Sequence, residues 1–184
     1  MKKESLVNKQ CLAALCAAIN IIGSFLAAGL KLPIYLDSIG TILISGLLGP
    51  GYGILTGVTA NIINGITFDF YSFYYIPVQI VTAVLASYIA KKRWNTGWKV
   101  FIGSMILSVP ASFVSAFITA FVFGGITSSG STYLIMIIHN MGVNLTFSCF
   151  IVQVMTDYID KLTTILLIQT VFQRKMIGRY YGTL

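Results

Sequence analysis

The chain has 184 residues, of which 57% are hydrophobic and only 9% are charged, and its mean hydropathy is +0.86. This composition leaves too little polar surface to cover a water-soluble globule, so it indicates an integral membrane protein whose lipid bilayer is its main solvent. The net charge of +7 is better explained by membrane topology than by nucleic-acid binding, and we expect no nucleic-acid partner. We expect one membrane-embedded domain over residues 1–184.

Apolar segments separated by short connections predict an all-α protein with six transmembrane helices. Their approximate bounds are 11–30, 36–48, 52–66, 71–90, 98–123 and 132–156. A full span needs about 20 helical residues, so helices 2 and 3 are short. We expect the chain to turn between them at Gly49-Pro50-Gly51, and an amphipathic tail to begin at Lys161.

The basic residues predict the orientation of this bundle. Six crossings place both termini on one side, and eleven of the twelve Lys and Arg residues then fall on that side, with Lys31 as the exception. Because cytoplasmic loops carry an excess of Lys and Arg, we expect a multi-pass protein of the cell membrane with cytoplasmic N- and C-termini. A cleaved signal peptide is not expected, since no clear small-residue cleavage site follows the first apolar stretch.

Small residues recur every four positions on three of the predicted helices, and such stripes allow close helix packing. In helix 3 the stripe is Gly49, Gly53, Gly57, Asn61 and Gly65, and in helix 5 it is Ser104, Ser108, Ser112, Ala116 and Ala120. We expect both to pack inside the protein. Helix 1 has the pairs Ala13 with Ala17 and Ala14 with Ala18 near its cytoplasmic end, where a partner subunit could also reach them.

Polar side chains collect near the predicted outer ends of the helices, where they are costly unless they are paired or face a water-filled cavity. They are therefore candidate substrate-binding residues: Tyr35, Asp37, Asn64, Asp69, Tyr74, Gln79, His139, Asn140 and Asn144. The alternative is that the amides only join neighbouring helices, at well under about 2 kcal/mol each.

The group in the last helix is the strongest of these candidates, because Asn140 and Asn144 share a helical face beside the only histidine, His139. We expect Asn140→Ala and Asn144→Ala to weaken ligand binding by about 1–3 kcal/mol each. Gln153→Ala, in the inner half, should do much less. One histidine without a nearby carboxylate on its helix is a poor metal site, and we expect no metal.

The chain has no G-x-x-x-x-G-K-[ST] phosphate loop, no H-E-x-x-H pair and no G-x-S-x-G nucleophile motif. We therefore expect no catalytic residue, no cofactor and no enzyme activity, and any driving energy must come from elsewhere. The absence of a convincing inverted copy of helices 2 to 4 weakens a self-sufficient secondary transporter.

Residues 36–65, LDSIGTILISGLLGPGYGILTGVTANIING, contain the core G-L-L-G-P-x-x-G-x-x-x-G. With six spans, the alanines of helix 1 and the closing run Asp157 to Lys161, the chain resembles the substrate-binding S components of energy-coupling factor (ECF) vitamin transporters, leaning toward the riboflavin-transporter-like branch. The resemblance implies a vitamin pocket near the outer face, covered by the loops after spans 1, 3 and 5. It implies as partners a transmembrane coupling subunit, contacted by Ala13 with Ala17 or by Ala14 with Ala18, and two ATPase subunits.

The candidate residues favour a small aromatic ligand with hydroxyl or amino groups, stacked on tyrosine and hydrogen-bonded by amides. A vitamin B6 vitamer or a hydroxymethylpyrimidine fits, and riboflavin and cobalamin remain open. The alternatives from other classes are a non-transport membrane assembly subunit, whose polar residues only join helices, and a small secondary transporter.

Overall fold

The computed structural model describes residues 6–172, with side chains as far as residue 170. In chain order the elements are α1 (Leu6–Gly29), α2 (Ile39–Leu48), α3 (Pro50–Thr67), the 3-10 helix η1 (Phe70–Phe73), α4 (Ile76–Lys91), α5 (Lys99–Phe121), α6 (Ser131–Asn140) and α7 (Leu145–Phe172). Within residues 6–172 there is no strand, so the predicted all-α class is confirmed. Two helices, α1 and α5, are long and apolar enough to cross a membrane by themselves.

The predicted turn between the two short helices is present. Gly49 has φ +94°, a left-handed conformation that glycine adopts without steric cost, and Pro50 opens α3, where its missing N–H removes no hydrogen bond. A Cβ atom at Gly53 would collide with Ser45 of α2, and one at Gly57 would press on Gln79 of α4. The glycine stripe is therefore the surface on which α3 packs against both neighbours, as predicted.

The serine and alanine stripe of α5 packs inside the protein as well. Ser104, Ser108, Ser112 and Ala116 are buried, and α5 lies against α7 along most of its length. Ala116 contacts Cys149 and Val152 there. The prediction of an intramolecular packing surface is confirmed.

The last predicted span, 132–156, is wrong as a single helix. α6 ends at Asn140, residues 141–144 form a turn in which Gly142 has φ +92°, and α7 begins at Leu145. α6 folds back along α7, so that Ile135 packs on Cys149 and Val152.

The tail predicted from Lys161 is also corrected, because α7 continues to Phe172. Lys161 lies inside this helix with 3% of its surface exposed, so it does not belong to the basic residues of a surface loop. The rest of the predicted tail, residues 173–184, lies outside the described residues, as do Lys2 and Lys3 of the charge argument.

The helix bundle has two distinct ends. At one, which we call the covered end, three covering segments meet: residues 30–38, 68–75 and 122–130. The other, the basic end, holds the connection between α4 and α5 with Lys91, Lys92, Arg93 and Lys99. An apolar core that includes Leu107 and Ile165 lies toward the basic end, whereas many buried polar side chains lie toward the covered end.

Candidate substrate pocket

A polar pocket lies beneath the covering segments. Its walls come from α1, α3, α4, α5, α7, η1 and the covering segments. The polar side chains that line it include Tyr35, Asp37, Asp69, Tyr75, Gln79, Thr82, Asp157 and Lys161. The cavity measures about 40 Å³, enough for roughly three water molecules.

The first covering segment is held to α7 by an aspartate. Leu36 has φ +52°, an uncommon backbone conformation for a large side chain, and its N–H donates to Asp160 Oδ1 over 3.0 Å. The hydroxyl of Ser38 donates to the other oxygen of Asp160 over 3.3 Å. These bonds fix both neighbours of Asp37 and thereby place its carboxylate at the pocket.

A chain of hydrogen bonds orients Asp37 from the other side. Asn20 of α1 donates to the Thr41 hydroxyl over 2.8 Å, and that hydroxyl donates to Gln79 Oε1 over 3.0 Å. The amide nitrogen of Gln79 then faces Asp37 and donates to its Oδ2 over 3.0 Å.

One ion pair lies beside the pocket within α7. Lys161 Nζ is 2.9 Å from Asp160 Oδ2 and donates to the Ser38 hydroxyl over 2.8 Å. Both charged side chains are buried, with 3% and 0% exposure. A buried charge without its partner is strongly unfavourable, so these two residues depend on each other and on the first covering segment.

The same helix places two more polar side chains toward the pocket. Asp157 Oδ2 accepts a hydrogen bond of 2.8 Å from Ser112 of α5. One turn earlier, Gln153 Oε1 accepts from the Tyr35 hydroxyl over 3.3 Å, and its Nε2 donates to Thr119 over 3.0 Å. Gln153 does not line the pocket itself, but its hydrogen bond holds Tyr35, which does.

The covering segments are bonded to one another above the pocket. Asp69 Oδ2 accepts from Ser128 and from Ser72 over 2.9 Å each, which joins the second segment to the third. The backbone N–H of Gly130 donates to the Leu32 carbonyl over 2.9 Å, which joins the third segment to the first. Phe123 adds an edge-on ring contact with Tyr74 at 5.0 Å. These contacts close the covered end.

Of the predicted site residues, Tyr35, Asp37, Asp69 and Gln79 line this one pocket. Asn64 is 1% exposed, and neither its Oδ1 nor its Nδ2 has a hydrogen-bond partner, but it is not part of the pocket wall. Tyr74 lies on the second covering segment and is 42% exposed. The structure thus gathers four of the predicted residues and places two nearby.

His139, Asn140 and Asn144 lie elsewhere, and the prediction that they are shielded on one helical face is wrong. All three are exposed, because the helix that was expected to carry them breaks at residues 141–144. Asn144 Oδ1 accepts from the Thr146 N–H over 2.9 Å and so caps the start of α7. His139 Nδ1 lies 2.9 Å from the Val143 carbonyl and closes the turn.

Sequence reasoning did not select Thr82, Asp157 and Lys161, which line the pocket. The signal for two of them was present, since Asp157 and Lys161 are four residues apart and share a face of any helix that continues past Thr156. The prediction ended the span at Thr156 and began the tail at Lys161, so it selected neither residue as a site candidate.

The alanines of α1 divide into two faces. Ala13 and Ala17 are each 6% exposed, and Ala13 packs in a cluster with Leu43 and Ile44 of α2. Ala14 and Ala18 are exposed.

Of the comparisons with known proteins, the one with protein-family models gives a match. Searches of curated proteins and of solved structures find no match. Residues 9–177 match the family model described as ECF transporter, substrate-specific component, which covers nearly the whole chain. The protein is therefore a membrane protein that belongs to the substrate-specific S components of ECF transporters, which are substrate-binding transporter subunits rather than enzymes.

Proposed function

We propose that this S component binds a water-soluble vitamin or vitamin precursor in the pocket at the covered end. The observation that supports this most is that Asp37, Gln79 and Asp157, from three separate elements, converge on one pocket beneath bonded covering segments. Buried polar groups gathered from distant parts of a chain are typical of a ligand site. A small hydroxylated aromatic such as a vitamin B6 vitamer or a hydroxymethylpyrimidine fits this lining, with riboflavin and cobalamin as further candidates.

The proposal includes a topology. The six crossings are α1, α2, α3, α4, α5 and α7, in a single domain over residues 1–184, with α6 folded against α7. The ten residues of α2 rise only about 15 Å, so α2 and the covering segment before it cross together. The basic end faces the cytoplasm because it holds Lys91, Lys92, Arg93 and Lys99, and the covered end then faces outward.

The partners are a transmembrane coupling subunit and two ATPase subunits, since the chain has no nucleotide-binding motif of its own. The coupling subunit docks on α1 through Ala14 and Ala18. This pair is exposed, whereas Ala13 and Ala17 are already packed inside the protein. A bare alanine face allows a second helix to approach closely.

Binding is tested by measuring the Tm of the purified protein in detergent with a panel of water-soluble vitamins. We expect one member to raise the Tm saturably. Vesicles that contain this chain alone should bind that vitamin without accumulating it, and accumulation should need the coupling and ATPase subunits with ATP. Accumulation driven by an ion gradient alone would favour a secondary transporter, and no saturable binding at all would favour an assembly subunit.

Coupling is tested by the double variant Ala14→Leu with Ala18→Leu. We expect it to abolish uptake by the complete transporter while the vitamin affinity of the isolated subunit stays within about twofold, because the pocket lies at the other end of the bundle. Phe25→Leu, an exposed change on the same helix toward the covered end, is the matched control and should leave uptake intact. Normal uptake by the double variant would reject this docking face.

A further inference from the structure

The acidic residues of this chain are concentrated around the pocket. The chain carries a net charge of +7 and only five acidic residues. Asp37, Asp69 and Asp157 line the pocket, and Asp160 bonds to the segment that carries Asp37. The fifth, Glu4, lies outside the described residues. A basic protein thus has a strongly acidic interior at its covered end.

The charges at the pocket do not cancel one another. Three carboxylates and one ammonium group line it, and the ammonium group of Lys161 is already paired with Asp160 at 2.9 Å. Asp37 accepts a hydrogen bond from the neutral amide of Gln79, and Asp157 accepts one from the neutral hydroxyl of Ser112. Neutral donors ease the burial of a carboxylate but do not offset its charge, so a cation in the pocket would be stabilised by both.

A second observation points to a ligand independently of charge. Thr82 of α4 lines the pocket and is 1% exposed, yet its Oγ1 has no hydrogen-bond partner. A buried hydroxyl without a partner is unfavourable. A ligand atom in the pocket would supply the missing partner.

The arrangement of carboxylates and aromatic side chains in the pocket favours an organic ligand over a metal ion. The carboxylates stand on different elements, and among the described residues no three His, Cys, Asp or Glu side chains come together as a metal site requires. The rings of Tyr35 and Tyr75 also line the pocket. Aromatic faces attract organic cations, most strongly where water is excluded.

We propose that the pocket selects a ligand with a positively charged, flat ring or a ring bearing a protonated amine, held by the carboxylates of Asp37 and Asp157 and hydrogen-bonded by Thr82. This inference rests on the proposed function, and it restricts the substrate class to organic cations. It disfavours anionic vitamins, because they would add a negative charge beside three carboxylates.

The charge preference is tested with ligands that share a ring and differ in charge. We would measure the Tm and the Kd of the wild-type protein with pyridoxamine, pyridoxine and pyridoxal phosphate, and with thiamine beside its diphosphate. The cationic member of each series that binds should bind at least about tenfold more tightly than its neutral or anionic counterpart, as expected for a charge-assisted contact. A neutral or anionic compound as the tightest ligand of the whole vitamin panel would overturn this inference and leave the proposed function intact. If no vitamin binds, the proposed function fails and this inference fails with it.

Substitutions test which residues cause the preference for a cationic ligand. Asp37→Asn and Asp157→Asn should each weaken binding of the cationic ligand by about 10- to 100-fold and weaken a neutral analogue much less. Thr82→Val should weaken both ligands while the Tm without ligand stays the same or rises. Asn140→Ala, at the exposed turn, is the control and should change neither. Equal losses for charged and neutral ligands in the aspartate variants would show a structural role and reject the assignment, and the wild-type series decides the charge preference even if a variant does not fold.

Discussion

Two polar groups in the last third of the chain differ in their exposure and in how far along the chain their hydrogen-bond partners lie. The first, which we call the tip, comprises His139, Asn140 and Asn144 at the turn between α6 and α7. The second, the charged stretch, runs from Asp157 to Lys161 in the middle of α7. The tip is exposed and bonds to residues no more than four positions away, whereas the charged stretch is bonded to a segment 124 positions earlier.

The difference shows that polar residues in an apolar sequence do not mark a site by their presence alone. A polar group at the surface is satisfied by its own turn, as the caps at the tip are. A buried charge needs partners, and partners from a distant segment bring several elements to one place. The charged stretch is therefore the part of α7 that contributes residues to the pocket wall.

The largest effect is expected when the positive charge of the charged stretch is removed. Lys161→Met leaves Asp160 buried without its counter-charge, so we expect the free energy of unfolding to fall by about 3–5 kcal/mol. Chemical denaturation in detergent measures it. The double variant Asp160→Asn with Lys161→Met should recover much of the loss, and Lys31→Met, an exposed lysine, should cost little. A stable Lys161→Met single variant would show that the ion pair does not hold the first covering segment.

A second test compares two amides outside the pocket wall, of which Gln153 bonds to the pocket-lining Tyr35 and Asn144 does not. Gln153→Ala removes the hydrogen bonds to Tyr35 and Thr119, so it should weaken ligand binding by about 1–3 kcal/mol. Asn144→Ala should leave affinity within about 0.5 kcal/mol, because Asn144 neither lines the pocket nor bonds through its side chain to a residue that does. Titration calorimetry with the vitamin that the panel identifies measures both. The sequence alone predicted the reverse, with a greater loss of affinity for Asn144→Ala than for Gln153→Ala. A greater loss for Asn144→Ala would support that earlier expectation and contradict this one.

A third test concerns the tip alone. Asn144→Ala removes the cap of α7 and should lower the free energy of unfolding by about 1 kcal/mol. Asn144→Asp keeps a side-chain oxygen for the Thr146 N–H and should retain wild-type stability. If both variants were equally destabilised, the contribution of Asn144 would not be that of a helix cap.

The smallest effect is expected at Asn140. It is exposed at the end of α6, and Asn140→Ala should change both unfolding free energy and ligand affinity by less than about 0.5 kcal/mol. A thermal unfolding scan with and without ligand measures the two quantities together. A clear loss of affinity here would place the tip in the binding site and remove the distinction between the two groups.

Local patterns were sufficient for much of the fold. Apolar runs predicted the helices up to α5 because burial of a continuous apolar surface depends on composition and length. The turn at Gly49-Pro50-Gly51 and the packing of Gly53 and Gly57 could also be predicted, because a glycine allows close approach of a neighbouring helix wherever it occurs. Tyr35, Asp37 and Asp69, predicted from their position near helix ends, and Gln79, predicted as a polar residue deeper in its span, line the same pocket.

Packing between distant segments was needed for the rest. The sequence analysis joined the apolar runs on either side of Gly142 into one span. Gly142 and the capping residue Asn144 are local signals of a break, but the packing of α6 back onto α7 is a tertiary feature. Lys161 was predicted to start a polar tail because a charge without a partner is unfavourable in an apolar helix. Its partner Ser38 lies more than 120 positions away. Ala14 and Ala17 are equally small, and only the position of α2 and α3 against α1 leaves the first exposed and the second buried. A periodic pattern describes which residues share a face, but the identity of the neighbour on that face depends on the whole chain.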